Sequence, residues 1–155
     1  MLYEEDYKLA LEAFKKVFNA LTHYGAKQAF RSRARDLVEE IYNSGFIPTF
    51  FYIISKAELN SDSLDSLISL FSSDNAILRG SDENVSYSAY LFIILYYLIK
   101  RGIIEQKFLI QALRCEKIRL DLIDELYNLA PIISARIRTY LLAVKRLSEA
   151  LIEAR

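Results

Sequence analysis

The sequence of 155 residues is poor in the side chains that most enzymes and metal sites need. It holds one Cys, one His, two Pro, four Gly and no Trp. A structural zinc site normally takes four Cys or His ligands, so this chain cannot build one alone. A single Cys forms no intrachain disulfide, which suits a reducing cytoplasm. The low Gly and Pro content argues against disorder and against a turn-rich β-sandwich.

Long apolar runs and a secretory signal are also missing. The first residues, Met1 to Asp6, are acidic, whereas a secretory signal begins with basic residues. The most apolar run, Ala89 to Ile99, is eleven residues long, and a membrane span needs about 20. We therefore expect a soluble, cytoplasmic protein with no membrane partner.

The net charge is zero, but it is unevenly distributed. Residues 59–83 hold one base and five acids, whereas residues 84–155 hold eleven bases and seven acids. A protein that coats nucleic acid unaided is usually basic overall. Any contact with nucleic acid is therefore expected on a local surface.

Apolar residues recur at steps of three and four along most of the chain, which is typical of amphipathic helices. The pattern predicts an all-α fold, a single-domain bundle (1–155) of about six or seven helices. We expect a short break near Gly25, a helix end at Gly45 and a last helix that Pro131 opens. The stretch at about 59–84 is predicted to be an acidic, Ser-rich loop region that contains one short helix, followed by a surface loop over 72–84.

Few residues offer catalytic or metal chemistry. His23 has no neighbouring nucleophile. Cys115, which is expected within a helix beside Arg114 and Lys117, is more simply a small, partly buried and inert residue. The carboxylates Asp121, Asp124 and Glu125 lie on one helix and could hold Mg²⁺, but no second cluster completes a site. We expect no catalytic residue, no metal and no cofactor.

The basic residues form the clearest pattern. Lys27, Arg31 and Arg35 stand at i, i+4 and i+8, which places them on one flank of a helix, with Arg33 on the other. Guanidinium groups suit phosphate because they donate two parallel hydrogen bonds. On the last helix, two further cations lie seven residues apart and share a face. The candidate nucleic-acid-binding residues are Lys27, Arg31, Arg35, Arg138 and Lys145. A solvated helix surface would show the same spacing.

One segment resembles a known family. The stretch 30–46, FRSRARDLVEEIYNSGF, has an aromatic residue, an Ala-Arg pair, Leu and Ile at helical spacing, and an Asn-Ser-Gly-Phe ending. It is similar to the small α-helical subunit of type III-B (Cmr) CRISPR effector complexes. The stretch 143–150, AVKRLSEA, is similar to the end of that family, although the family's C-terminal Trp is missing.

The resemblance implies a non-catalytic subunit of an RNA-guided antiviral complex. Such subunits stack in several copies, opposite the subunits that carry the guide, and their basic faces line the channel for guide and target RNA. The implied partners are other effector subunits, copies of this chain, and guide and target RNA. Three alternatives stay open: a helical protein-interaction module, a small subunit of a type I-A or III-A complex without direct RNA contact, and an enzyme built on the carboxylate cluster.

The chain is rich in aromatic residues, with 11 Tyr and 9 Phe. Since aromatic side chains anchor protein interfaces, we expect some of Tyr87, Tyr90 and Tyr97 to lie on a surface that neighbouring subunits use.

Overall fold

A computed structural model describes residues 2–154 and, in that range, contains seven α-helices and no β-strand. The all-α fold predicted from the apolar spacing is confirmed. The helices are α1 (Leu2–Ala20), α2 (Tyr24–Ser44), α3 (Phe46–Ala57), α4 (Ser61–Ser69), α5 (Asp82–Lys100), α6 (Gln106–Arg114) and α7 (Glu116–Leu151).

The centre of the bundle is α5, which is buried on all sides. Every residue from Val85 to Leu98 is buried, and α1, α2 and α3 all pack against this helix. A helix that is apolar all round belongs in a core, which explains the apolar run in the sequence. Within residues 2–154, no helix is both long and apolar enough to cross a membrane.

Burial of α5 overturns one expectation. Tyr87, Tyr90 and Tyr97 are 1%, 0% and 2% exposed, so none of them is a surface ring for a neighbouring subunit. These rings are buried because other helices pack around α5. The exposed aromatic residues lie on other helices instead: Tyr7, Tyr24, Tyr42, Phe51, Tyr52 and Tyr127.

Two helix boundaries differ from the prediction. The break between α1 and α2 comes at residues 21–23, before Gly25, which is the second residue of α2. Pro131 does not open a new helix but lies inside α7, which continues for 36 residues. Pro131 has no N–H to donate to the carbonyl of Tyr127, four residues earlier in the helix. Both residues are exposed, so water can hydrate that carbonyl. The buried face continues on both sides of Pro131, with Leu126 before it and Ile133 after it.

The predicted helix end at Gly45 is confirmed. Gly45 has a φ of +96°, and its N–H donates to the carbonyl of Ile41, which closes α2 before α3 begins. The positive φ explains why glycine occupies this turn.

The acidic stretch is partly ordered by its own polar side chains. Asn60 caps α4 through a reciprocal capping box with Ser63. The following segment returns to the start of α5, and Leu78, which is buried, donates its N–H to the carbonyl of Ala20. The short helix and the surface segment after it agree with the sequence pattern, although α5 begins at Asp82, inside the predicted loop.

Candidate nucleic-acid interface

Helix α2 has two flanks with different neighbours. Its buried face, which includes Phe30, Ala34 and Leu37, separates them. Lys27, Arg31 and Arg35 lie on the first flank, as predicted. Arg33, on the second flank, faces α5, where its Nη1 donates to the hydroxyl of Tyr87 at 2.8 Å.

Helix α7 runs antiparallel to α2 along the first flank. Near the C-terminal end of α2, the guanidinium of Arg138 lies 4.2 Å from the ring centroid of Tyr42. Near the other end of α2, the hydroxyl of Tyr24 accepts the N–H of Glu153, just past the end of α7. The later α7 residue therefore pairs with the earlier α2 residue, as antiparallel packing requires.

This packing brings the two predicted basic sets to one place. Arg138 contacts α2, and Lys145 follows two turns later on the same side of α7. Arg146 lies on another side, where it donates to the hydroxyl of Tyr7 on α1 at 2.6 Å. We use the name α2–α7 seam for the residues that flank the packing contact between these two helices: Lys27, Arg31, Arg35, Tyr42, Arg138 and Lys145.

The cations of the seam differ in how strongly they are held. The Lys27 ammonium lies 4.5 Å from the ring centroid of Phe18. The Nε of Arg31 is buried and finds no hydrogen-bond partner among the described residues. Arg35 pairs with Asp36 at 2.9 Å, and this bond, assisted by the charge of Glu149, raises the pKa of Arg35. The side chains of both Arg35 and Asp36 are about half exposed.

The seam thus carries positive charge at the surface, with Arg35 and Arg138 exposed and Lys27, Arg31 and Lys145 half-buried. Arg35 is the one seam cation with an acidic partner among the described residues. Since an exposed ion pair is worth only about 0–1 kcal/mol, a phosphate oxygen can compete with Asp36 for the guanidinium.

Arg33 belongs to a separate polar cluster. The Tyr87 hydroxyl that it contacts also lies 3.3 Å from the hydroxyl of Tyr52. Burial and this neighbouring hydroxyl raise the pKa of Tyr87 to about 12, so the phenol stays neutral and can accept from Arg33. Arg33 is therefore committed to the packing of α2 on α5.

Several other arginines are also engaged inside the molecule. Arg101 forms ion pairs with Glu5 and with the buried carboxylate of Asp6. Arg114 pairs with Asp65 at 3.0 Å. Arg119 donates to the carbonyls of Ala112 and Leu113, which satisfies acceptors near the C-terminal end of α6. These arginines join helices, which the sequence pattern did not reveal.

The remaining candidates for chemistry are not assembled into one place. His23 is exposed at the N-cap of α2, with its Nδ1 3.8 Å from Asp82. Cys115 is exposed at the junction of α6 and α7 rather than within a helix. Between residues 2 and 154, no three His, Cys, Asp or Glu side chains are grouped so as to hold a metal ion.

Tyr42 is the seam residue that the basic pattern did not indicate. The residue is 65% exposed although the Arg138 guanidinium lies over its ring. A signal was present, since Tyr42 follows Arg35 by seven residues and so shares its flank. The pattern of basic residues does not include Tyr42, because its side chain is uncharged.

Comparison with known proteins agrees with the fold and with the resemblance. No family model matches the chain. The chain is 62% identical over 154 residues to the CRISPR system CMR subunit Cmr5 of Saccharolobus solfataricus, an alignment that covers 98% of this chain and 96% of the relative.

Solved structures are also similar. A chain in a cryo-EM structure of the type III-B Cmr-β complex bound to cognate target RNA and AMPPnP is 97% identical, with a TM-score of 0.96 and 99% of each chain covered. A structure of the complex bound to non-cognate target RNA matches with the same identity, coverage and TM-score. These matches show that the chain belongs to the Cmr5 family, the small α-helical subunits of type III-B CRISPR effector complexes.

Proposed function

We propose that this chain is a non-catalytic subunit that stacks in several copies along the effector complex and contacts RNA through the α2–α7 seam. The observation that carries the proposal is the antiparallel packing of α2 and α7, which brings five cations to the borders of one seam. The two similar complexes described above are bound to target RNA, which gives the seam a polyanion of the right chemistry. The expected place of action is the cytoplasm, and the role requires no catalytic group.

The contact is with phosphate rather than with base edges. Arginine and lysine on a helix flank neutralise phosphates, which positions a strand without reading its sequence. Sequence is then supplied by base pairing with the guide, as in other RNA-guided effectors. One copy offers few contacts and binds weakly alone, whereas several copies on one strand add through effective concentration.

Stacking needs surface outside the seam, and α7 provides it on its other side. Tyr7 and Leu11 of α1 are 43% and 40% exposed, and with Ala143 and Leu147 of α7 they line a shallow apolar hollow. Exposed apolar side chains grouped in this way are typical of protein contact surfaces. RNA and neighbouring subunits would therefore contact opposite sides of α7.

The test measures RNA affinity of the assembled complex against salt concentration. The variant is Lys27→Gln/Arg31→Gln/Arg35→Gln, since Gln keeps most of each side chain in place. If each cation meets one phosphate, the log–log salt slope should become shallower by about 2 for each copy, at ~0.7 per single-strand contact.

A matched control removes the same charge elsewhere. Lys8, Lys107 and Lys117 are exposed outside the seam, so Lys8→Gln/Lys107→Gln/Lys117→Gln should leave the slope unaltered. Circular dichroism of both variants checks that they fold. Equal slopes for the seam variant and the wild type would refute the RNA contact and favour a protein-interaction module.

A further inference from the structure

We propose that Tyr42 is a stacking platform for an unpaired nucleobase of the bound RNA, with Arg138 holding the ring in place. This inference rests on the proposed function, since it needs RNA at the α2–α7 seam. It adds an aromatic contact to a surface that charge alone would not reveal.

The geometry of the pair supports this assignment. Tyr42 lies in the last turn of α2, and the Arg138 guanidinium stands 4.2 Å from its ring centroid. Tyr42 as a whole residue remains 65% exposed, so much of its side chain faces solvent. No hydrogen bond of the Tyr42 hydroxyl to another described residue is present. A cation over one face fixes the ring and leaves the rest of it open.

Arg138 serves both the ring and the RNA backbone. A guanidinium stacks through its plane while its N–H groups donate at the edge, so it can hold an aromatic ring and bind phosphate at once. Arg138 is exposed and has no acidic partner among the described residues. A nucleotide at this end of the seam would place its base on Tyr42 and its phosphate beside Arg138.

The neighbouring charge favours RNA over protein as the occupant. Arg35 lies seven residues before Tyr42 on the same flank, about 10 Å along the helix axis. Cations on the same flank as an open aromatic ring match the arrangement by which single strands are held, through backbone charge and base stacking, although the exposed acid Glu39 stands between Arg35 and Tyr42. The exposed pair Phe51 and Tyr127 differs, because its two rings pack on each other, with their centroids 6.5 Å apart.

The test compares Tyr42→Leu with Tyr42→Phe in the assembled complex. Leu keeps apolar bulk but has no ring, and Phe keeps the ring without the hydroxyl. Tyr42→Leu should weaken RNA binding roughly 5- to 150-fold for each copy that contacts the strand, the range for loss of one stacked base per copy. Tyr42→Phe should bind like the wild type, and neither should change the salt slope as the triple seam variant does, because both leave every cation in place.

A second readout locates the contact directly. Target RNA that carries 5-iodouridine should crosslink to Tyr42 on irradiation, as mapped by mass spectrometry, because the photoreaction favours stacked aromatic rings. Wild-type affinity in Tyr42→Leu, or crosslinks that map elsewhere, would overturn the stacking assignment. If the seam variant still changes the salt slope, the proposed function survives that failure; if it does not, both are wrong.

Discussion

A methyl group added at Gly25 should destabilise the protein only while Asp82 is present. Gly25 is the second residue of α2, and Asp82 is the first of α5. A Cβ at Gly25 would lie 2.5 Å from Oδ2 of Asp82, closer than carbon and oxygen can approach. Gly25 is not among the residues with positive φ, so alanine fits its backbone. The strain therefore comes from one carboxylate.

The magnitude follows from what the carboxylate does there. His23, the N-cap of α2, makes no side-chain capping bond, and Asp82 brings a negative charge to this helix start. An anion at a helix N-terminus is worth about 0.3–1 kcal/mol, and forcing the Asp82 side chain away from its rotamer adds about 0.5–1.5 kcal/mol. Alanine gains up to about 1 kcal/mol over glycine in a helix.

These contributions predict opposite signs in two backgrounds. Gly25→Ala should lower the free energy of unfolding by about 1 kcal/mol in the wild type, where the displaced carboxylate outweighs the helix gain. In an Asp82→Ala background it should raise that free energy by about 0.5–1 kcal/mol, because the helix gain alone remains.

The assay is urea unfolding, followed by circular dichroism, of the wild type, both single variants and the double variant. The double-mutant cycle isolates the coupling between the two positions. His23→Ala serves as a control, since the coupling should persist without the imidazole. The same effect of Gly25→Ala in both backgrounds would show that the carboxylate does not pack on this glycine.

Three further predictions concern two buried hydroxyl groups and one ion pair. The Tyr90 hydroxyl is buried with no hydrogen-bond partner among the described residues, so Tyr90→Phe should raise the free energy of unfolding by about 1 kcal/mol. The Tyr140 hydroxyl donates to the carbonyl of Ile93 at 2.6 Å, so Tyr140→Phe should lower the free energy of unfolding by about 1 kcal/mol. A lower urea midpoint for Tyr90→Phe would contradict the first prediction, and an unaltered or higher one for Tyr140→Phe would contradict the second. The hydrogen bond from Arg101 lowers the pKa of Glu5 from its ordinary 4.5, so the stabilisation is present above about pH 4.5 and is lost as the pH falls through the folded pKa. Glu5→Gln should therefore flatten the acid dependence of the melting temperature, and an unaltered pH profile would refute this ion pair.

Much of the fold was predictable because helices and their ends are specified locally. The three-four spacing of apolar residues and the glycine at position 45 needed no tertiary knowledge. Pro131 misled because its effect depends on its surroundings: on an exposed face, the lost hydrogen bond is replaced by water and the helix continues. The break before α2 was expected at Gly25, but that glycine accommodates the distant Asp82 instead.

The candidate interface was predictable in part for the same reason. Helical spacing placed Lys27, Arg31 and Arg35 on one flank, but spacing cannot distinguish a free cation from one that joins helices. Arg101 and Arg119 belong to equally basic stretches and are engaged in internal contacts. The tyrosines were misjudged because burial depends on how many helices surround α5.

Pro131 also has a consequence for the local unfolding of α7. Its missing N–H removes one link from the backbone hydrogen bonds near the middle of the helix. Before it, Tyr127 packs against α3; after it, Tyr140 bonds to α5 and Arg146 to α1. Local unfolding of one half of α7 is therefore weakly coupled to that of the other half. Amide hydrogen exchange should report two levels of protection along this one helix. The half that carries Arg138 and Lys145 can stay closed while the other half exchanges.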